Sequence, residues 1–324
     1  MAEFGMKGMV VAGPLANVSI MYRNLNYIAD LVFPIVPAPG DAKIARYLKG
    51  AWFRDEAGIR ERGTRSDRGG FPADYVAINP KEYSWASQVT TEDREDAEKI
   101  GAPPMAPDQD AVEFSTDKVD IRKERRVAEI VFGGGWSDLP YGVDVHGKWA
   151  AGEGNTFLKT MREGSEYIRS RTGMRPNRLL LSANTLGEIK EEPTVLDKIK
   201  YTERGILTVN LLAALLELEM VTIGDAVFSR ARERKDGLDF EAVDVWEKNK
   251  GKGSAFLYYA PRKPGLKMPS AGYMARVPYK SGQKLVRMWE EPAEDQDVYE
   301  VRERLDICQT GKDLGILYVD TIVD

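Results

Sequence analysis

Residues 106–135 read APDQDAVEFSTDKVDIRKERRVAEIVFGGG, and the reading of this stretch decides the fold. Pro107-Asp108-Gln109-Asp110 is a helix start with acidic residues in the first turn. No further proline or glycine interrupts the run until Gly133-Gly134-Gly135. A helix over about 107–133 would be about 40 Å long at a rise of ~1.5 Å per residue. Its apolar residues are sparse: Val112, Phe114, Val119, Ile121, Val127, Ile130, Val131 and Phe132. Between them Arg122-Lys123-Glu124-Arg125-Arg126 is charged all round. Such a pattern predicts a strut lying across a surface, with partners on more than one side, and not the buried centre of an enzyme core.

The glycine triplet follows the helix, so it reads as a C-terminal stop. A dinucleotide fingerprint needs strand, glycines and helix in that order, and no GxxxxGK[ST] occurs anywhere. Upstream, Thr90 to Lys99 is an acidic run that reads as a solvated helix or loop, and Gly101-Ala102-Pro103-Pro104 breaks the chain before the strut. The run has neither the spacing nor the glycine of a calcium loop.

Residues 41–90 are dense in charge. Between Asp41 and Gly70 eight Lys/Arg (Lys43, Arg46, Lys49, Arg54, Arg60, Arg62, Arg65, Arg68) face five acids. Strand-like runs, Tyr47 to Phe53 and Tyr75 to Ile78, flank the glycines Gly63, Gly69 and Gly70, which predicts a long two-stranded ribbon. A lone ribbon is marginal in water, so it is expected to rest on another subunit. Nucleic-acid binding through the arginines of 41–70 is the alternative, and the interleaved Asp55, Glu56, Glu61 and Asp67 weigh against it. Residues 1–40 read as an extended arm: Asn24 to Asp30 suits a short helix, and Pro34, Pro37 and Pro39 then force extension. Leu31, Val32, Phe33, Ile35 and Val36 need something to lie against, in this chain or a neighbour.

From Asn155 the pattern changes to compact α/β. Asn155 caps a helix with Phe157, Leu158, Met161 and Ile168, ended by Gly173; Asn177 to Ser182 is a buried strand running into a capped short helix; Pro193 to Lys200 is another. Thr208 caps a leucine-rich helix to Leu218, Val221 to Gly224 is a strand, and Ala255 to Ala260 is another, closed by Pro261, with an irregular loop over Lys263 to Ser270 before Gly272 to Val277. Lys284 to Trp289, Val298 to Ile307 and Gly315 to Val319 alternate residue by residue, as a half-exposed antiparallel sheet does, and are expected to support the apolar side of the strut.

Composition bounds the chemistry. The 324 residues are 43% hydrophobic and 30% charged, enough for a sizeable core, and the net charge of −5 gives no global attraction to nucleic acid or anionic membrane. The single Cys308 excludes an intrachain disulfide, and with His146 as the single histidine a zinc site of ordinary kind cannot be built. His146 lies in a Gly/Asp-flanked loop and reads as a solvent-facing residue. Met1 to Val11 shows no signal peptide, and no run approaches a membrane span, so a soluble intracellular product is expected. A hydrolase using a carboxylate pair such as Asp138 and Asp144 remains an alternative, although pairs are expected by chance among 51 acids. No catalytic, cofactor-binding or metal-binding residue is assigned.

An apolar arm, a charged ribbon, a solitary polar helix, an α/β unit and a closing antiparallel sheet resemble, in that order, the major capsid proteins of tailed bacteriophages, the Hong Kong 97-type α+β fold. The resemblance rests on Tyr27 to Pro37, Glu124 to Ala128, Gly173 to Leu181, Val221 to Ala226 and Pro269 to Tyr273. It implies an N-terminal arm (1–40), an extended E-loop (41–90), a peripheral domain with the spine helix (91–176), an axial domain (177–275) and C-terminal strands returning to the peripheral domain (276–324). It also implies hexamers and pentamers of an icosahedral shell enclosing DNA, assembled in the host bacterial cytoplasm. The implied partners are further copies of the chain, a portal, a decoration protein and weak, non-specific contact with packaged DNA. With Met1 close to the arm, a separate scaffolding protein, or none, is expected in place of a fused one. Lys43 and Lys49 sit in the ribbon, but no asparagine or carboxylate catalyst matches a crosslinking site by motif, so no crosslink is expected.

Overall fold

A computed structural model of the chain describes residues 23–100, 106–138, 142–152, 154–199, 207–231, 240–265, 267–280 and 282–323. The expectations for residues 1–22 of the arm, for the Gly101 to Pro104 break and for Lys200 fall outside the described residues.

The strut is one uninterrupted helix, and it lies across a five-stranded sheet. In chain order, the elements that matter first are α1 (Ala29–Val32), β1 (Ile35–Pro37), β2 (Ala42–Tyr47), α2 (Lys49–Trp52), β3 (Ala73–Ile78), β4 (Lys81–Thr90), α3 (Thr91–Ile100) and α4 (Pro107–Gly133). Then come β5 (Val143–Asp144), α5 (Phe157–Thr172), β6 (Arg178–Ser182), α6 (Ala183–Glu191), α7 (Pro193–Ile199), α8 (Val209–Leu215), β7 (Met220–Gly224), β8 (Val227–Ser229) and β9 (Ala242–Asp244). The chain closes with β10 (Ser254–Tyr258), β11 (Gly272–Arg276), β12 (Leu285–Glu291), β13 (Gln296–Gln309) and β14 (Gly315–Val319).

The 14-residue β13 organises the first sheet, whose order is β1-β11-β13-β12 with β4 also paired to β13. Tyr299, Val301, Glu303 and Leu305 alternate along β13, and all four are buried. Over this sheet α4 packs a stripe at helical spacing: Ala111, Ser115, Val119, Lys123, Val127 and Val131 are buried. Ser115 Oγ donates to Tyr299 O at 3.3 Å. The large residue Phe114 stays 49% exposed, so small residues let the helix sit close. Support for α4 comes from β13 and β4. Gly315–Val319 does not provide it, because β14 pairs antiparallel with β10 in a second sheet, ordered β5-β14-β10-β6-β7. Every residue of β10 and β14 is buried, so β14 is central where a half-exposed strand was expected.

Helix ends follow the capping chemistry. Ser182 Oγ accepts from Thr185 N and Thr208 Oγ1 accepts from Leu211 N, whereas the N-cap of α5 is Thr156 and not the expected Asn155, whose Oδ1 accepts from Phe157 N from one residue further out. Gly173 ends α5 in the left-handed region at φ 70°. At the end of α4 Trp136 Nε1 donates to Val131 O at 2.7 Å and Gln309 Nε2 to Gly134 O at 2.7 Å, satisfying carbonyls the helix leaves open. The leucine-rich helix stops at Leu215, before the expected Leu218.

The ribbon is shorter than expected. β2 and β3 pair over six residues, from Ala42↔Ile78 to Tyr47↔Ala73, and Leu48 N donates a last rung to Pro72 O. Pro72 has no N–H to return, so the ladder ends there. Residues 49–52 form a helical turn where a strand was expected. The ribbon base packs on its own chain, Ile78 lying with Ala38, Tyr273, Ala275 and Cys308.

Candidate assembly surfaces

The strut's charged middle is where three parts of the chain meet. Glu124 is fully buried, and its carboxylate accepts three hydrogen bonds: Ile28 N at 2.9 Å, Ala29 N at 2.8 Å and Trp246 Nε1 at 2.7 Å. The first two donors open α1, so the carboxylate anchors the arm by a helix start. That explains why α1 begins at Ala29 and not at Asn24. Asn24 instead pairs with the edge of β8, donating to Val227 O at 2.9 Å and accepting from Val227 N at 3.0 Å. Burial raises the Glu124 pKa, against the lowering effect of its three donors and of Lys123.

One residue earlier, Lys123 is also buried, with Nζ 3.2 Å from Asp30, 3.2 Å from Asp120 and 3.9 Å from Glu303. Burial works against the Lys123 charge, but Glu303, Asp30 and Asp120 outweigh it and raise its pKa. Arg276 joins the same knot from β11, 2.8 Å from Glu303 and 3.4 Å from Asp30. The Arg276–Glu303 contact is Coulombic, since neither Glu303 oxygen has the alignment of a hydrogen bond. Lys284 Nζ binds both oxygens of Asp120 at 2.7 Å. Three carboxylates and three cations therefore link arm, strut and sheet. Within the segment that reads as charged all round, Lys123 and Glu124 are therefore buried. Both are buried because each has opposite charge or donors on every side.

A second tie fixes the strut's start. Arg94 of α3 donates to Asp108 at 3.0 and 2.8 Å, to Asp297 at 2.6 Å and to Tyr299 Oη at 3.2 Å.

Other surface is left apolar and uncovered. On and beside the ribbon Trp52, Phe53, Ile59 and Phe71 are exposed, Ile59 completely. On β12, Val286 and Met288 pair with Val301 and Tyr299, which places them on the strut's side of the sheet, and both remain more than half exposed. At the loop end of the ribbon, past Tyr47, Lys49 forms an ion pair with Asp313, and the Phe53 ring lies beside Gly173. Lys43 is exposed on β2.

The residues weighed for chemistry do not converge. His146 is exposed, with Nδ1 3.4 Å from Asp144 Oδ2, and His146 N donates to Asp144 Oδ1 at 2.8 Å, so that carboxylate serves its own turn. The Asp138 side chain is outside the described residues. Among the described residues no group of three or more His, Cys, Asp or Glu could hold a metal ion, and no helix is long and apolar enough to cross a membrane. In the ribbon Arg46 pairs with Asp74, Arg54 with Glu56 at 3.5 Å, and Arg60 Nε donates to Thr64 O, so several of the arginines serve the loop itself.

No protein-family model matches the sequence. Among solved structures, a phage-related protein from Bordetella bronchiseptica RB50 matches with a TM-score of 0.66 at 24% identity, over 94% of this chain and 95% of that one. The capsid of cyanophage P-SCSP1u matches with a TM-score of 0.62 at 10% identity, over 97% of this chain and 93% of the other. The fold is the Hong Kong 97-type capsid fold. By sequence, the major capsid protein of Burkholderia phage BcepMu is 27% identical over 280 residues, 82% of this chain and 83% of that one. Within the capsid fold the arm-to-strut knot was missed by sequence reading. The signal available was Glu124 itself, a carboxylate in a helix whose neighbours in sequence are all cationic.

Proposed function

We propose that this chain is the major capsid protein of a tailed bacteriophage, many copies of which form, as hexamers and pentamers, the icosahedral shell around the DNA genome. The observation that carries it is the 27% identity over 280 residues to a phage major capsid protein, on a chain with the capsid fold. The uncovered apolar residues of ribbon and β12 support it physically. Burying a side chain such as Ile59 or Phe71 contributes about 1.5–3 kcal/mol, which a single subunit leaves unused and a lattice of copies recovers. Exposed charge pairs such as Arg46–Asp74 would set register more than affinity. The role is structural and no catalysis is assigned.

The division into arm, E-loop, peripheral and axial domains is proposed along the boundaries given by the resemblance, with one change: Gly315–Val319 goes with the axial sheet, through its pairing with β10. The proposed location is the virion capsid, with assembly in the host bacterial cytoplasm. A portal, a scaffolding protein and a decoration protein are proposed partners, with packaged DNA inside. Electron microscopy of the expressed full chain, alone and with a scaffolding protein, tests the proposal. Closed shells are expected, and only small monodisperse oligomers under both conditions would overturn it.

A further inference from the structure

The ribbon touches its own subunit at two places that lie far apart along it. At its base Ile78 packs with Ala38, Tyr273, Ala275 and Cys308, and Asn79 N donates to Asp306 Oδ2 at 2.9 Å, so this end rests on the first sheet. At the loop end, past the last pair Tyr47↔Ala73, three other segments hold it. Lys49 forms an ion pair with Asp313, in the turn Lys312–Leu314 that leads into β14. The Phe53 ring lies over Gly173 at the end of α5, where a Cβ would meet it at 3.4 Å. Lys267, from the loop between β10 and β11, places Nζ 5.8 Å from the centroid of the Tyr47 ring. Tyr47 in turn gathers Trp52 at 6.1 Å and Phe71 at 6.5 Å between ring centroids, so both legs of the ribbon share this attachment.

Beyond that point the ribbon has no polar tie to the rest of its subunit. From Arg54 to Gly70 the hydrogen bonds and ion pairs of the described residues stay inside the ribbon: Arg54 with Glu56, Arg60 with Thr64, and Thr64 with Glu61. A two-stranded ribbon held at its base alone would pivot there. Held at two points, on the first sheet and beside the second, it keeps one direction. The attachment at the loop end is made without burial. Trp52, Phe53 and Phe71 all remain more than half exposed, so the ties hold the aromatic side chains in place and leave them uncovered.

We propose that Lys49, Phe53 and Lys267 form a clasp that fixes the angle at which the ribbon leaves its own subunit, and so presents Trp52, Ile59 and Phe71 ready to be covered by a second copy. This rests on the shell reading above. A preset angle removes an ordering cost that association otherwise carries. An unclasped ribbon reaches a neighbour only in the fraction of subunits that hold the correct angle, and assembly weakens by that fraction.

The first test is the concentration of full-length chain at which shells appear. The variant K49M/K267M keeps the aliphatic stems and removes both cations. It should raise that concentration by roughly 3- to 25-fold, the combined loss of one exposed ion pair and one surface cation–π contact per subunit. K49R/K267R keeps both charges and should restore it. An unchanged or lowered concentration in K49M/K267M overturns the proposal. The second test reads the clasp in the unassembled subunit, by the distance between spin labels at Y75C on β3 and S170C on α5, with the buried Cys308 unreacted. The distribution should be narrow with both lysines present and broad in K49M/K267M, and equal widths overturn the clasp. A chain that makes no shells while its label distance stays narrow counts against the shell reading alone.

Discussion

Replacing Glu124 should detach the arm from the strut. In Glu124→Ala the donors Ile28 N, Ala29 N and Trp246 Nε1 all lose their acceptor inside the fold. A buried donor left unsatisfied costs roughly 1–3 kcal/mol. Three such donors give an upper sum of about 9 kcal/mol, and entry of water and relaxation of α1 reduce the expected loss to about 3–5 kcal/mol, the usual range for breaking a buried polar site on one side. Glu124→Gln keeps one oxygen, able to accept from Ile28 and Trp246, but turns an amide NH2 towards Ala29 N–H. Its loss should be smaller, about 1–3 kcal/mol. Urea unfolding of the unassembled subunit gives the ranking, and hydrogen exchange at the Ile28 and Ala29 amides gives the location. The glutamine variant also tests the electrostatics. Because burial raises the Glu124 pKa above 4.5, its protonation stabilises the fold fully below pH 4.5, and that contribution fades as pH rises through the raised value. Gln cannot titrate and should abolish this part of the pH dependence. An alanine variant as stable as wild type, with the two amides still protected, would refute the reasoning.

Other perturbations follow from the same packing. A Cβ at Gly224 would lie 2.3 Å from Trp246 Cβ and 2.4 Å from its Cγ, so Gly224→Ala should destabilise by about 1–3 kcal/mol or more, read by thermal or urea unfolding; an unchanged midpoint would contradict the packing. At Gly272 a Cβ would lie 2.8–3.0 Å from the Phe33 ring, so Gly272→Ala should loosen the arm and raise exchange or protease cleavage across residues 28–36, and identical protection would count against it. Lys123, with its pKa raised in the fold, contributes stability that is complete below pH 10.5 and lost as pH climbs through the raised value; Lys123→Met should flatten the alkaline limb of the stability profile, and an unaltered limb would place the titration elsewhere. Burial pushes the Cys308 thiol up to about 11, so alkylation at pH 8 should be slow in the folded chain and fast in urea, with fast labelling of folded protein as the contrary result.

Much of this architecture can be read from local chemistry. The strut's ends, the caps at Ser182 and Thr208, and the glycine stop at Gly173 are short-range features, so the residues themselves declare them. What could not be read depends on contacts distant in sequence. Lys123 and Glu124 look like surface charges until Asp30, Glu303, Trp246 and the start of α1 close around them from 90 to 180 positions away. β14, Gly315-Ile316-Leu317-Tyr318-Val319, is an unbroken apolar run and is buried on both faces, which a reading of it as an alternating strand misses. Tyr47 to Phe53 has strand composition, yet pairing stops at a proline on the opposite strand. The sequence marks an apolar excess on the arm, where Val32 and Phe33 prove to be buried in this chain's own core. The candidate assembly surfaces were not legible, since only the fold shows that Val286 and Met288 lie on the strut's side of the sheet while remaining uncovered.

The central claim is that apolar surface exposed on one subunit is completed by further copies. A cryo-EM map of the particle formed by the full chain tests it most directly. The account predicts a closed shell in which Trp52, Phe53, Ile59, Phe71, Val286 and Met288 are buried at contacts between subunits. A particle in which these side chains face solvent, or a chain that forms no closed shell, would contradict it.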